Sequence, residues 1–335
     1  MKKNLTFLAA VLALGLAVPG CKKSESSNPV PQAPPSGPVA LTLRWPSGKR
    51  ILQTFQMQQT MQTRMPNSTN AVNQDMTMEQ KVGLTVSKEQ PGGGHEIELE
   101  FISSRMKVMM GDRVLTDMDT TKKPAANSKP DPAAQIFQQL IGSKIRFTMD
   151  ASNHVERVDG LADLQKKLLA NAPRGSGPMI AGFLKENYFK QMVEHNRYLP
   201  DKPVQPGDTW PVQMDVEAGP LGTMSSDYTY TFKDWEVHGG VNCAHLTYEG
   251  TLKSKPDANS KLMGMNISME DTKSSGESWF DPDRGLFVEA DVNQPMKMHM
   301  EIPARTRPGT TAGTQPQTIT MVMDQTITTK LDSVK

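Results

Sequence analysis

The stretch LFVEADVNQPMKMHMEI, residues 286–302, decides the fold because apolar side chains occupy alternate positions along most of it. The apolar positions that share one parity are Leu286, Val288, Ala290, Val292, Met296, Met298, Met300 and Ile302. Successive side chains of a strand point to opposite faces, so this pattern predicts one very long strand with a dry face and a wet face. Residues 319–331 repeat the pattern, which predicts a partner strand.

The same alternation extends outward to residues 41–45, 76–86 and 95–101, and turn residues such as those of Asp281–Gly285 and Ala151–His154 separate neighbouring strands. Helical signals are confined to residues 131–198, where the apolar spacing predicts helices over 133–141, 161–169 and about 178–197. Strands, then helices, then strands indicate an α+β, β-rich fold. We expect a strongly curved antiparallel sheet, half-barrel-like, with two or three helices packed on one face.

The first forty residues predict export and lipidation. Two lysines precede a short apolar run that ends in Val18-Pro19-Gly20-Cys21, which resembles a bacterial lipobox. We therefore interpret residues 1–20 as a lipoprotein signal peptide, Cys21 as the lipidated cysteine and residues 21–40 as a Pro/Ser-rich tether. Residues 41–335 then form the β-rich domain with a helical insert at about 131–198; two halves, 41–200 and 201–335, are the alternative division.

Composition excludes several classes of protein. The chain has 37 Lys and Arg against 36 Asp and Glu, a formal net charge of +1, so it carries no electrostatic footprint for nucleic acid. The only other cysteine is Cys243, so no intramolecular disulfide can form beside a lipidated Cys21.

The partners we expect are a membrane, through the N-terminal lipid anchor, a lipid or other apolar ligand, and envelope proteins.

Two segments carry a resemblance to a known family. Ile145–Leu161, read as a hairpin, a glycine and a helix, and Leu199–Trp210, with its Pro-Gly-Asp-Thr-Trp ending, resemble an uncharacterised family of bacterial envelope lipoproteins. That family has no assigned chemistry, so the resemblance implies no catalytic residues. The layout is also similar to the half-barrel carriers of lipoprotein trafficking. Lys22, not Asp, follows Cys21. This resembles the enterobacterial sorting rule, and the resemblance implies the outer membrane if the host has one, with the domain facing the periplasm.

Linear signatures of catalysis are missing. The chain contains no HExxH, GxSxG, Walker, GxGxxG or CxxC motif. Ser104–Lys107 matches SxxK in a strand-like stretch without a companion Lys-Thr-Gly, and the Asp281–Gly285 loop lacks the distal glutamate of a calcium loop. We therefore expect a protein that is not an enzyme and needs no cofactor.

Methionine is the outlier of the composition, with 23 residues. Many of them fall on the apolar parity of predicted strands and would pave one face of the sheet. The candidate apolar-ligand face consists of Met76, Met78, Met263, Met265, Met296, Met298, Met300, Met321 and Met323. Glutamines of the same parity would interrupt this face with amide groups: Gln59, Gln80, Gln294 and Gln325.

Three interpretations of the methionine face are open. Flexible thioethers suit the binding of lipid acyl chains or apolar partner segments, with the glutamines meeting polar head groups. Alternatively, the methionines fill a closed core, and a structural or protein-interaction lipoprotein works through its outer surface. Thirdly, Met296, Met298 and Met300 could hold copper(I) or silver in the periplasm, since thioethers select soft ions, although His299 would point to the opposite face.

Overall fold

The structure is a computed structural model that describes residues 37–66, 68, 70–90, 93–122, 132–170, 184–217, 222–255, 261–262, 265–302 and 317–335. The strands are β1 Arg50–Arg64, β2 Ala71–Val86, β3 His95–Met110, β4 Arg113–Asp119, β5 Lys144–Met149, β6 Val155–Asp159, β7 Thr209–Glu217, β8 Thr223–His238, β9 Val241–Lys255, β10 Lys261–Leu262, β11 Met265–Met269, β12 Thr272–Asp281, β13 Leu286–Ile302 and β14 Gln317–Val334. The helices are α1 Pro132–Leu140, α2 Leu161–Ala170, α3 Glu186–Gln191 and a 3₁₀ helix, His195–Tyr198.

All these strands belong to one antiparallel sheet with the order β6–β5–β3–β2–β1–β14–β13–β12–β9–β8–β7. β1 and β14 pair in the middle, from Ile51 opposite Val334 to Arg64 opposite Thr320. β4 pairs with the second half of β3, and β11 pairs with the second half of β13 and with β10. The sheet is open and curved, which confirms the predicted fold class.

The helices pack on one face of the sheet, here called the inner face. Leu164 and Leu168 of α2 and Phe189 of α3 are buried in one cluster with strand residues such as Leu99 and Phe147. We call this cluster the helix-side core. The spacing of Leu164 and Leu168 places both side chains on the same side of α2, so burial of that side accounts for the position of the helix.

A second cluster on the inner face is built from strands alone within the described residues, and we call it the methionine core. Its buried members are Met61, Met224, Leu252, Ile267, Met269, Met296, Met298, Met300, Ile319, Met321 and Met323. Eight of these eleven residues are methionines. The apolar face predicted for residues 286–302 and 319–331 therefore divides between two cores. Val288 is the exception, because it is buried in a third, small cluster with Cys243 and Trp279.

The predicted helix over 178–197 is wrong in its extent. Residues 171–183 lie outside the described residues, and α3 ends at Gln191. Glu194 then leaves the helical conformation with φ −85° and ψ 54°, and its carboxylate accepts the backbone N–H of Val155 at 2.9 Å. This long-range contact, together with the ion pair between Glu194 and Arg197, ends the helix where the apolar spacing alone predicts that it continues.

Of the predicted signal peptide and tether, the structure describes residues 37–40 alone. The predicted signal peptide, Cys21 and residues 21–36 of the tether lie outside the described residues. Val39, placed in the predicted tether, forms two backbone hydrogen bonds with Val204, with N–O distances of 2.8 and 2.9 Å. Among the described helices, none combines the length and the apolar character needed to cross a membrane.

Candidate ligand-binding interior

The predicted methionine face lies inside the molecule. Six of its nine residues are exposed by at most 7%: Met76, Met296, Met298, Met300, Met321 and Met323. Met76 belongs to the helix-side core, Met78 packs against that core and Met265 packs against the methionine core. Met263 lies outside the described residues.

Direct cross-strand pairs hold the methionines together. On the neighbouring strands β13 and β14, Met296 lies opposite Met323 and Met298 lies opposite Met321. Met298 also lies opposite Met269 on β11. Directly opposed side chains in an antiparallel sheet have Cβ atoms about 5 Å apart, and these methionines are buried together in the methionine core.

The candidate copper triplet, Met296, Met298 and Met300, lies within this packing, with Ile319 opposite Met300. His299 lies on the other face, as predicted, where its Nε2 atom is 2.8 Å from Oε1 of Glu270. The imidazole therefore does not join the three thioethers, and a soft-ion site there would depend on methionine alone.

Three of the four predicted inward glutamines form a continuous row across the centre of the sheet. Gln59 on β1 lies opposite Gln325 on β14, which lies opposite Gln294 on β13. Their exposed fractions are 2%, 2% and 5%. Neither amide group of Gln59 and Gln325 has a hydrogen-bond partner within the part of the chain that the structure describes. Gln80, the fourth, lies apart from the row, opposite Phe55 and Ser104.

This glutamine row marks the boundary between the two cores. On one side of the row, the residue two positions away from each glutamine belongs to the helix-side core: Met57, Ile327 and Val292. On the other side, the residue two positions away from each glutamine belongs to the methionine core: Met61, Met323 and Met296. A line of amides therefore crosses the interior between two apolar layers, and polar groups without partners are costly there.

At its β13 end the glutamine row reaches a partly open cavity of about 50 Å³. The residues that line it are Tyr198, Met214, Met224, Ser226, Tyr228, Tyr248, Leu252, Ser274, Val292 and Gln294. Strands β7, β8, β9, β12 and β13 contribute side chains, and the 3₁₀ helix contributes Tyr198. The wall thus combines thioethers with hydroxyl groups and the amide of Gln294.

Burial keeps the tyrosines of this region protonated. It raises the pKa of Tyr198 to about 12 and raises the pKa of Tyr228, Tyr230 and Tyr248 above the ordinary value. The rings of Tyr228 and Tyr248 lie 5.0 Å apart, and the hydroxyl of Tyr230 has no partner within the described residues. Three of these neutral phenols, Tyr198, Tyr228 and Tyr248, line the cavity, where a phenol can donate a hydrogen bond to a polar group.

Sequence reasoning found the glutamines and the methionines but missed the tyrosines. Ser226, Tyr228 and Tyr230 share the inward parity of β8, so alternation was the available signal. Tyr198 gave no such signal, because it lies outside the strands, in the 3₁₀ helix that follows α3.

The fold defines a class of protein with an open, curved antiparallel sheet. Short helices and the side chains of the sheet itself cover the inner face. The chain belongs to the "Family of unknown function (DUF6263)", whose model matches residues 92–286. That match confirms the predicted membership of an uncharacterised family. It includes the helices and eight of the ten residues that line the cavity, all but Val292 and Gln294.

No curated protein matches the chain. Among solved structures, a lipovitellin described under "lipid-protein interactions in lipovitellin" is 11% identical with a TM-score of 0.42; the match covers 87% of this chain and 26% of that chain, so this chain spans about a quarter of it. A putative outer membrane lipoprotein-sorting protein domain from Vibrio parahaemolyticus is 10% identical, with a TM-score of 0.16 and coverage of 86% and 85%. A DUF1329 family protein from Desulfovibrio piger is 9% identical, with a TM-score of 0.16 and coverage of 83% and 85%.

Proposed function

We propose that the protein is a non-catalytic, lipid-anchored lipoprotein of the bacterial envelope that binds an apolar molecule with a polar group inside the sheet. The observation that carries the proposal is the glutamine row: Gln59 and Gln325 are almost fully buried, and their amides are unpartnered within the described residues. The polar group of the ligand supplies hydrogen bonds to these amides, and its apolar part lies among the methionines.

The energetics support a partner for the amides. A buried polar group without a hydrogen bond costs about 1–3 kcal/mol, and here two neighbouring side chains have this defect. Leucine or methionine at the two positions would avoid the defect, since the flanking residues of the same strands are apolar. A ligand that supplies a donor and an acceptor removes the penalty and gains affinity from it.

The methionines explain how a ligand fits. The cavity of about 50 Å³ is far smaller than the roughly 300–1,000 Å³ of typical ligand pockets. Methionine side chains are unbranched and have three rotatable bonds, so they can move aside at low energetic cost. The ligand therefore enlarges the cavity at the boundary between the cores, with its polar group at Gln294 and the row beyond it.

The predicted membrane anchor gives this function a source of ligand. Lipidation at Cys21 and a tether would hold the domain within reach of one bilayer, whose acyl chains are apolar. Lipid or fatty acid is thus the ligand class that we propose, with the outer membrane as the location if the host has one.

A closed core is the second candidate function. The small cavity and the methionines exposed by at most 7% favour it. In that case ordered water molecules satisfy the amides, and a structural or interaction lipoprotein contacts envelope proteins through its outer surface.

Organic extraction of the full chain purified from bacterial membranes distinguishes the two candidates, because the covalent acyl groups on Cys21 stay with the protein. We expect a stoichiometric apolar molecule in the extract, and uptake of labelled oleic acid by the extracted protein. A Gln59→Leu/Gln325→Leu variant should fold and lose most of the bound material. Gln58→Leu, an exposed position on the same strand, is the matched control and should retain it. An empty extract together with no oleate uptake would establish the closed core.

A further inference from the structure

The outer face of the sheet carries a polar cluster that the proposed ligand site does not use. A bulge in β8 between Phe232 and Asp234 changes which side chains face outward, and it brings Asp234 opposite His245 of β9. Glu236 follows two residues later on the same face. Bulges re-aim side chains in this way, and they are over-represented beside functional sites.

The ligand atoms of this cluster converge around one imidazole. Nδ1 of His245 is 3.1 Å from Oδ1 of Asp234 and 3.4 Å from Oε2 of Glu236. One ligand atom from each of these three residues lies within 4.8 Å of the other two. On the other side of the ring, Nε2 is 3.1 Å from Oε2 of Glu277 on β12.

The second nitrogen of the ring sets the chemistry of the first. When Nε2–H donates to Glu277, a neutral imidazole presents the lone pair of Nδ1 to Asp234 and Glu236. The lone pair of Nδ1 then faces two carboxylates, which are acceptors as well, so no hydrogen bond can form between these groups. A cation bound between Nδ1 and the two carboxylates would interact favourably with all three. A carboxylate on the distal nitrogen is also the usual partner of a metal-bound histidine.

The surroundings hold this imidazole in place. Its side chain is 5% exposed, and its ring stacks on Trp279 with centroids 5.0 Å apart and planes 9° from parallel. Nε1–H of Trp279 donates to Glu236 at 2.8 Å. Trp279 also stacks on His238, with centroids 4.1 Å apart and planes 15° from parallel, so the ring that positions His245 and Glu236 is itself held in place.

We propose that Asp234, Glu236 and His245 bind a divalent transition metal such as Zn²⁺, with Glu277 as the positioning residue for the imidazole. One nitrogen and two carboxylate oxygens are a ligand set that zinc accepts, and water would complete its coordination. Asp234 and Glu236 are about half exposed, so the metal can enter from solvent without opening the fold.

Calorimetric titration of the metal-free full chain with ZnCl₂ tests the site. We expect saturation at one ion per chain together with a change in tryptophan fluorescence, because Trp279 contacts two of the ligands. Asp234→Asn and Glu236→Gln, at exposed positions that tolerate neutral isosteres, should abolish saturable uptake, and Glu277→Gln should weaken it by about 10–100-fold.

Glu249→Gln is the control, because Glu249 is exposed on β9, the same strand as His245. Its zinc isotherm should match that of the unaltered chain. The proposal is overturned if ZnCl₂ gives no saturable uptake, or if uptake persists in the Asp234→Asn and Glu236→Gln variants. In that outcome the contacts of His245 with the three carboxylates serve the packing of the outer face alone. Equal uptake of Ca²⁺ would also contradict a histidine ligand, because calcium prefers oxygen ligands alone.

Discussion

Gln59 and Gln325 lie directly opposite each other on β1 and β14, with 2% of each residue exposed and without a hydrogen-bond partner for either amide in the described part of the chain. Two apolar cores meet along this pair. The stability of the protein and its proposed function therefore depend on the same two side chains. The stability of the ligand-free protein favours apolar residues at these positions, whereas the proposed ligand binding requires the amides.

The first prediction concerns stability in the absence of ligand. Gln59→Leu/Gln325→Leu should raise the free energy of unfolding by about 1–3 kcal/mol, because leucine removes two unpaired amides from an apolar environment. Urea denaturation of the extracted protein measures the change. The single variant Gln58→Leu, on the exposed side of β1, should leave the midpoint unchanged. A lower midpoint for the double variant would mean that the amides are already satisfied, for example by ordered water.

A second prediction tests the inner face at two adjacent residues of β14. Met323 is 2% exposed and Val322 is 39% exposed. Met323→Asp should lower the free energy of unfolding by about 3–5 kcal/mol, because it buries a charge without a partner. Val322→Asp should change it by less than about 0.5 kcal/mol. Denaturation near neutral pH compares the two, and similar losses in both variants would contradict the assignment of faces.

The thiol of Cys243 should be unreactive in the folded protein. The residue is fully buried, and burial raises the pKa of the thiol to about 12, so almost no thiolate is present near neutral pH. We expect DTNB to modify the native chain only at the rate at which it unfolds, and to modify the chain in urea at once. Prompt modification of the native chain would show that this strand opens locally.

Alkaline pH should unfold the protein through its buried tyrosines. Burial raises the pKa of Tyr198, Tyr228, Tyr230 and Tyr248, so the folded state favours the neutral phenols. The stability that they contribute is complete below the unfolded pKa of about 10 and falls as the pH rises beyond it. Phenolate absorbance and circular dichroism should therefore change together above about pH 10. Ionisation of these phenols in a chain that stays folded would contradict their burial.

The sequence predicted the faces of the strands well because side-chain parity depends only on neighbouring residues. The methionines of β13 and β14 and the inward glutamines followed from that rule. Parity does not determine which strands pair, and so it could not show that Gln59 and Gln325 face each other across strands far apart in the chain.

The sequence did not predict the polar cluster of Asp234, Glu236 and His245 on the outer face, for a related reason. The bulge after Phe232 reverses parity within β8, and alternation cannot locate it because one extra residue leaves no clear signature. His238 and His245 therefore looked scattered in the sequence, although both rings stack on Trp279 in the structure. The end of α3 at Gln191 likewise depends on a distant contact, between Glu194 and Val155.

The central pairing of β1 with β14 has a consequence for the biogenesis of the protein. β1 is made early in synthesis, yet β14, which pairs with one of its edges, follows all the other described strands. Ile51 therefore cannot pair with Val334 until residues 317–334 have been made. Until then β1 exposes unpaired backbone groups and apolar side chains, which are the features that promote aggregation. We therefore expect the nascent chain to need a holding chaperone until residues 317–334 have been synthesised.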